Sequence, residues 1–229
     1  MKPQFLLATS LSALALLGLG GCATEQSHSV EIQKVAAATA PTPYQGPRSL
    51  VTVGKFDNRS DYMRGMFSDG VDRLGPQTKT ILIAHLQQTN RFNVLDRDNL
   101  GEARQEAQYK GQSQNIKGAD FLVTGAVTEF GRKEVGDQQL FGLLGRGKQQ
   151  IAYAKVTLNV VDSLTSEVVY SVQGAGEYSL SNREVIGFGG TAGYDATLTG
   201  KVLDLAVREA VNNLVTGIDA GALRNTASH

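Results

Sequence analysis

The sequence predicts an α+β fold, an α/β domain in which a mixed sheet is flanked by helices. Three observations predict it. The run Phe121-Leu-Val-Thr-Gly-Ala-Val-Thr128 is strongly β-prone, and the stretch Ile151 to Val161 alternates strictly. In that stretch Ala152, Ala154, Val156, Leu158 and Val160 fall on one face, with Tyr153, Lys155, Thr157 and Asn159 on the other; a period of two is the strand signature. Helical spacing replaces it near the end, where Leu203, Val207, Ala210, Leu214 and Ile218 share one face. Before the alternating pair the order reads β-α-β-α-β, which lays helices against a sheet.

In chain order, Leu50 to Phe56 is a short apolar strand, and Asp57 to Gly75 is a long polar loop holding Tyr62, Met63, Met66 and Phe67. Pro76 opens a helix over 76–89 at its favoured first-turn position. Ile81, Leu82, Ile83 and Leu86 give that helix a buried stripe, while Lys79 and Gln87 stay in solvent. Asn90-Arg91 breaks it, and Phe92 to Arg97 is a strand. The Asp98 carboxylate can cap a helix over 99–110, whose apolar face, Leu100 and Ala103, is weak. A polar connection, Gly111 to Lys117, leads into the central strand.

Between the two central strands lies a polar, glycine-rich excursion, Gly131 to Gln150. Connections longer than about 12–15 residues are commonly functional, so this excursion is the first place to seek activity. Asp162-Ser-Leu-Thr-Ser166 is a turn by composition, and Glu167 to Val172 returns as a strand. A second glycine-rich excursion runs from Gly174 to Thr197. The last helix, 200–217, turns Lys201, Asp204 and Arg208 away from its apolar face. A polar tail, 219–229, follows.

The N-terminus is an address. Lys2 supplies positive charge, Phe5 to Leu19 is an apolar stretch too short for a permanent span, and Leu19-Gly-Gly-Cys22 closes it. Leu-Gly-Gly-Cys resembles a bacterial lipobox, which implies a signal peptide over 1–21 and a mature chain acylated at Cys22. Ala23 stands where an inner-membrane retention signal has aspartate, so the sorting rule points to the outer membrane with the main domain in the periplasm. Residues 22–48 then form a lipidated flexible tether whose small residues and prolines cannot build a core. With one cysteine in the chain, no internal disulfide forms.

Several chemistries find no support. The 22 basic and 22 acidic residues balance, so charge points to no nucleic acid. Of three histidines only His85 lies in the folded region, beside core residues, and reads as structural. No Cys/His spacing suggests a metal, and no cofactor is expected. Gly142-Leu-Leu-Gly-Arg-Gly-Lys148 has the letters of a phosphate loop, but Gln149 stands where Ser or Thr should hold magnesium and a strand pattern follows. Gly187-Phe-Gly-Gly-Thr-Ala-Gly193 lacks dinucleotide spacing. Asp96 and Asp98 are explained by capping and solvation, so the expectation is a protein that is not an enzyme.

The segments Arg91-Phe-Asn-Val-Leu-Asp-Arg97, Gly118-Ala-Asp-Phe-Leu-Val-Thr-Gly125 and Val156-Thr-Leu-Asn-Val-Val-Asp162 follow the lipobox, tether and Pro76-Gln77 helix in a telling order. Together they resemble the curli secretion channel family (CsgG/HfaB) over 49–218. The resemblance implies a periplasmic domain that assembles into a ring, with two hairpin excursions per subunit, here about 129–157 and 172–197, joining a shared oligomeric β-barrel. It implies a pore for exporting unfolded subunits of a curli-like fibre or adhesin. The expected partners are further copies of the chain, outer-membrane lipid, those secreted subunits and periplasmic accessory proteins. It places a pore constriction at Tyr62, Met66 and Phe67; the two aromatics keep the family spacing, and Met66 stands where the family has asparagine. Arg132, Lys133, Glu134, Asp137, Arg146 and Lys148 make the first excursion polar for a membrane hairpin. That polarity leaves open an alternative, a periplasmic lipoprotein adaptor of the same fold that binds an envelope partner without a pore.

Overall fold

The computed structural model describes residues 33–40, 44–61, 72–138, 146–184 and 197–223. It contains β1 (Ser49–Asn58), α1 (Leu74–Gln88), β2 (Phe92–Leu95), α2 (Leu100–Tyr109), β3 (Phe121–Gln138), β4 (Arg146–Asp162), β5 (Val168–Glu184) and α3 (Thr197–Asp219), preceded by a 3₁₀ turn at Ala36–Ala38. The five strands form one mixed sheet in the order β2-β1-β3-β4-β5. β1 pairs in parallel with β2 and β3, while β3–β4 and β4–β5 are antiparallel. The α+β architecture and the mixed sheet are those expected from the periodicities.

One face of the sheet is the core. Val51, Val53, Phe56, Val123, Val127 and Phe130 from β1 and β3 meet Ala152, Ala154, Val156, Leu158 and Val160 from β4. Leu82 and Leu86 of α1 and Leu203, Val207, Ala210 and Leu214 of α3 close over them, all with no solvent exposure. Each such aliphatic side chain contributes roughly 1.5–3 kcal/mol on leaving water. The alternation in β4 therefore reads true, because its even positions face these helices and Tyr153 stays 43% exposed.

Three boundaries differ from expectation, each for an identifiable reason. α1 begins two residues ahead of Pro76 because Asp72 caps it. Asp72 Oδ1 accepts from the amides of Leu74 and Gly75 at 3.0 Å each, and Oδ2 accepts from Asn58 N at 2.8 Å. Pro76 remains in the first turn, where its missing N–H leaves nothing unpaired. The buried stripe of α1 is Leu74, Thr78, Leu82 and Leu86, with Ile81 and Ile83 only partly buried.

At α2 it is Asp96, not Asp98, that organises the entry. Asp96 Oδ1 accepts from Asp98 N (2.9 Å) and Asn99 N (3.3 Å), while Oδ2 takes the Asn99 side-chain amide at 2.6 Å. That side-chain bond, helped by the two backbone bonds, lowers the Asp96 pKa below the usual aspartate value. Asp98 instead pairs with Lys79 of α1 at 2.5 Å. α2 has no buried residue, so it does not flank the sheet as the other two helices do. Its weak apolar face had nothing to press against.

The third difference lies upstream. Composition describes residues 22–48 as a coreless tether, yet Val35 is fully buried in the core and Ala38 packs against it. Ala36 N donates to Asn212 Oδ1 of α3 at 3.0 Å. One valine and one amide suffice to dock a segment that composition counts as linker.

Removal of the Asp72 carboxylate is a direct check on the α1 entry. Asp72→Ala strips the acceptor from three backbone amides, and capping losses of this kind cost about 0.5–2 kcal/mol. The expected result is a lower denaturation midpoint with an unchanged m-value, measured by urea titration. A midpoint equal to wild type would remove Asp72 from the cap.

Candidate functional site

The candidate site is the part of the sheet that outruns the helices. β1 stays paired with β3 only as far as Asn58 opposite Val127. Beyond that point β3, β4 and β5 continue as a three-stranded ladder to Gln138 opposite Arg146 and Arg146 opposite Glu184. α3 begins at Thr197, close to the rung Arg132–Ala152–Tyr178, where Arg132 Nη2 donates to Thr199 Oγ1. From Arg132 to Gln138 the ladder adds about 20 Å at 3.3 Å per residue.

Two bulges interrupt the sheet before this extension. The register shifts between Val53 and Phe56 in β1, and between Val127 and Glu129 in β3. The second leaves Thr128 as the extra residue, and its Oγ1 donates to Lys155 O at 3.2 Å. One inserted residue exchanges the faces of everything after it. Val123 and Val127 face the core before the bulge, and Phe130 faces it afterwards. The hydrophobic pattern of β3 thus breaks phase at 128, which is why the sequence pattern alone ends the strand there.

Both edges of the extension are open among the described strands. β3 has no described strand partner on its outer side beyond Val127, and β5 has none along its length. Asn213 of α3 caps one β5 edge carbonyl, Gln173 O, at 2.9 Å. Unpaired edges are templates for another strand unless they are blunted.

The face of the sheet away from α1 and α3 carries polar pairs across its strands. Ser171 Oγ donates to Asn159 Oδ1 at 2.7 Å, Gln173 Nε2 to Thr157 Oγ1 at 3.3 Å, and Lys155 pairs with Glu129 at 3.3 Å. Tyr153 lies over Gly131, its cross-strand neighbour. At the opposite end of the sheet, the 162–167 turn is held by Asp162 Oδ1, which accepts from Leu164 N and Thr165 N at 2.8 and 2.9 Å. The Thr165 bond, then the Leu164 bond, lowers the Asp162 pKa. That turn's stabilisation is therefore present above the ordinary aspartate pKa and is lost as pH falls through the depressed value.

His85 is buried between α1 and α3, with Nε2 at 2.8 Å from Asp204 Oδ1 and Nδ1 at 3.4 Å from Gln88 Oε1. It ties the two helices together, so Asp204 is a partner in the helix seam rather than the solvent-facing residue that helical spacing suggested. Among the described residues, no three His, Cys, Asp or Glu side chains gather as a metal site, and no helix is long and apolar enough to cross a membrane. The latter says nothing of strands that cross as a barrel.

Cys22, Tyr62, Met66 and Phe67 lie outside the described residues. The two ends of the loop that carries the last three are nevertheless fixed. Arg59 N donates to Val127 O at 2.9 Å, Ser60 Oγ bonds Asn58 Oδ1 at 2.6 Å, and Asp72 bridges Asn58 to α1. Gly75 admits this closure, since a Cβ there would stand 2.3 Å from Phe56 O. The loop therefore springs from the level at which the strand extension begins.

Comparison with known proteins places this architecture. The model of the curli production assembly/transport component CsgG matches residues 31–227. A protein of Neisseria meningitidis serogroup B described as a lipoprotein is 66% identical over 210 residues, covering 92% of this chain and 93% of its own. Among solved structures, the PelC dodecamer from Paraburkholderia phytofirmans is 14% identical, covers 76% of this chain and 93% of its own, and has a TM-score of 0.36. Lipoprotein GNA1162 from Neisseria meningitidis is 13% identical over 76% of this chain and 99% of its own, with a TM-score of 0.33. Likenesses that distant carry no argument. The family match extends nearly end to end over the docked turn, sheet and helices, and the chain belongs to the CsgG family of curli production assembly/transport components.

Proposed function

We propose that this protein is an outer-membrane lipoprotein, anchored through Cys22, whose copies join by the β3–β5 extension into a ring that exports unfolded secreted subunits. The observation that carries this reading is the extension itself: three long strands whose two edges are open among the described strands, in a chain of the CsgG family. A closed barrel removes edges that a single chain leaves open. The ring would be built by repeating one heterologous contact until it closes. Residues 1–21 are then a signal peptide and 49–218 the assembling domain, with Tyr62, Met66 and Phe67 in the constriction.

The experiment is assembly and conductance of the lipidated protein. In detergent it should elute as a large ring, and in a planar bilayer it should give discrete conductance steps. Tyr62→Ala with Phe67→Ala should raise the step size, because two rings leave the narrowest point. Cys22→Ala should leave the chain unprocessed or soluble. A monomer without conductance sinks the pore, and steps unchanged by the double substitution remove the two aromatics from it.

A second reading is favoured by one specific observation. Neither alternate set of residues in 129–138 or 146–155 is apolar: Glu129, Lys133 and Asp137 share one parity, and Arg132 and Glu134 the other. A strand facing lipid needs an apolar set, and an arginine or lysine at mid-bilayer costs roughly 2–4 kcal/mol. On this reading the extension binds an envelope partner without entering the bilayer, and the protein is an adaptor. The conductance measurement separates the two.

A further inference from the structure

We propose that Val35–Ala38 is a docked strap that sets how far the domain can stand from the lipid anchor. This rests on the reading that Cys22 is acylated. Val35 is fully buried, and Ala36 N is held by Asn212 Oδ1 at 3.0 Å. Ala38 N and Thr39 N close the turn on Val35 O and Ala36 O at 3.0 and 3.2 Å. Farther along, the Tyr44 ring lies 4.6 Å from the Arg91 guanidinium, which grips Asp219 with bonds of 3.0 and 2.7 Å. Asn212 and Asp219 are seven residues apart on α3, about 10 Å. The strap therefore runs beside α3 and in its direction, away from the strand extension. Val35, beside Asn212, thus lies nearer that extension than Tyr44 does.

Lengths decide what this does. Twelve residues, 23–34, separate Cys22 from Val35. Fully drawn out, that leash spans about 45 Å. From Asn212 up to Thr199, beside Arg132, α3 covers about 20 Å, and the ladder adds about 20 Å more to Gln138. The docked leash thus just reaches the described end of the extension. With the domain standing extension-first, the three strands must come up to the lipid surface that holds the anchor. With Val35 released and Tyr44 still on Arg91, the reach grows to about 75 Å and this coupling is lost. Composition makes 22–48 a passive spacer; the buried valine and the Asn212 bond make its second half a ruler.

The test reads docking and reach separately. Lys34 is exposed beside buried Val35, so trypsin cleavage after Lys34 reports release of the strap. In the full chain carrying Cys22→Ala, which needs no lipid, Asn212→Ala and Val35→Asp should raise that cleavage rate tenfold or more at an unchanged fold. Asn212→Asp, which keeps the acceptor oxygen, should cut at the wild-type rate. In the lipidated chain on phosphatidylethanolamine–phosphatidylglycerol vesicles, a dye on Ser166→Cys should show a changed energy transfer to headgroup acceptors when Asn212→Ala is added. Wild-type cleavage in both releasing variants overturns the strap. Faster cleavage with unchanged transfer overturns the ruler. A protein that fails to bind vesicles while its Lys34 bond stays protected sinks the lipidation reading and leaves docking standing.

Discussion

Gly174→Val should cost the domain a large share of its stability. Gly174 lies on β5 where α3 crosses at closest approach: a Cβ there would stand 2.2 Å from Ala210 N and 2.3 Å from Ala206 O. Those are backbone atoms of a helix, which cannot yield as a side chain tip can. Gly176 repeats the arrangement one turn away, 2.6 Å from the Leu205 Cβ and 2.8 Å from Ala206 N. The helix must be driven off the sheet, opening the contacts of Val202, Leu203, Val207 and Leu214, all with no solvent exposure. Overpacking in a filled core costs about 1–3 kcal/mol where side chains can adjust, and more where they cannot. We expect a loss of at least about 3 kcal/mol, against a total of about 5–15 kcal/mol for a domain. Thermal melting should fall by about 10 °C or more. Gly101→Ala on exposed α2, where a Cβ meets nothing within 4 Å, is the control and should raise stability slightly. Ala210→Asp should act like Gly174→Val from the other side of the seam, since it buries a carboxylate without a partner. A Gly174→Val protein melting within two or three degrees of wild type would mean that α3 does not lie on β5.

The seam was half legible. The period of α3 gave its apolar face, with Leu203, Val207, Ala210 and Leu214 buried as spaced. The glycines opposite look like part of a loop in the sequence, because Gly174 and Gly176 have no side chain to register in an alternation. A glycine that admits a helix and a glycine that makes a turn look alike in a sequence. The polar excursion at 131–150 hid strands for a related reason. Hydrophobic alternation reports burial, and a strand that leaves the core has none to show. The ladder continues there through backbone bonds that no composition reveals. Asp72 carries no local signal, because its three amide partners come from both ends of a loop, one of them fourteen residues away. Val35 gives no signal either, because one apolar residue among alanines, threonines and prolines carries no period. In contrast, the resemblance to the curli secretion channel family stood on Arg91 to Arg97 and Gly118 to Gly125, edges of the core whose spacing is set by packing.

Shortening the first hairpin should abolish self-assembly and spare the fold. Lys133 and Ile151 face each other across β3 and β4. Replacing residues 134–150 by Asn-Gly joins that pair through a two-residue turn whose twist suits a hairpin. Phe130, Ala152 and every other buried residue named in the core are retained, as are Arg132 with Thr199 and the α3 seam. The shortened protein should therefore melt within a few degrees of wild type. It lacks the part of the ladder that stands clear of α3, so β3 no longer offers an extended edge to a neighbour and the end of β5 loses the strand it pairs with. A ring held by that edge must fall to monomers by light scattering, with conductance lost at the same time. Contacts elsewhere would give a different result. Rings of wild-type size from the shortened chain would place the assembly joint below Arg132, within the α/β domain, and would end the case for the extension as the joint. A shortened chain that fails to fold would show that residues 134–150 support the core. The measurement that decides is the mass of the lipidated, shortened protein in detergent, taken beside its melting curve.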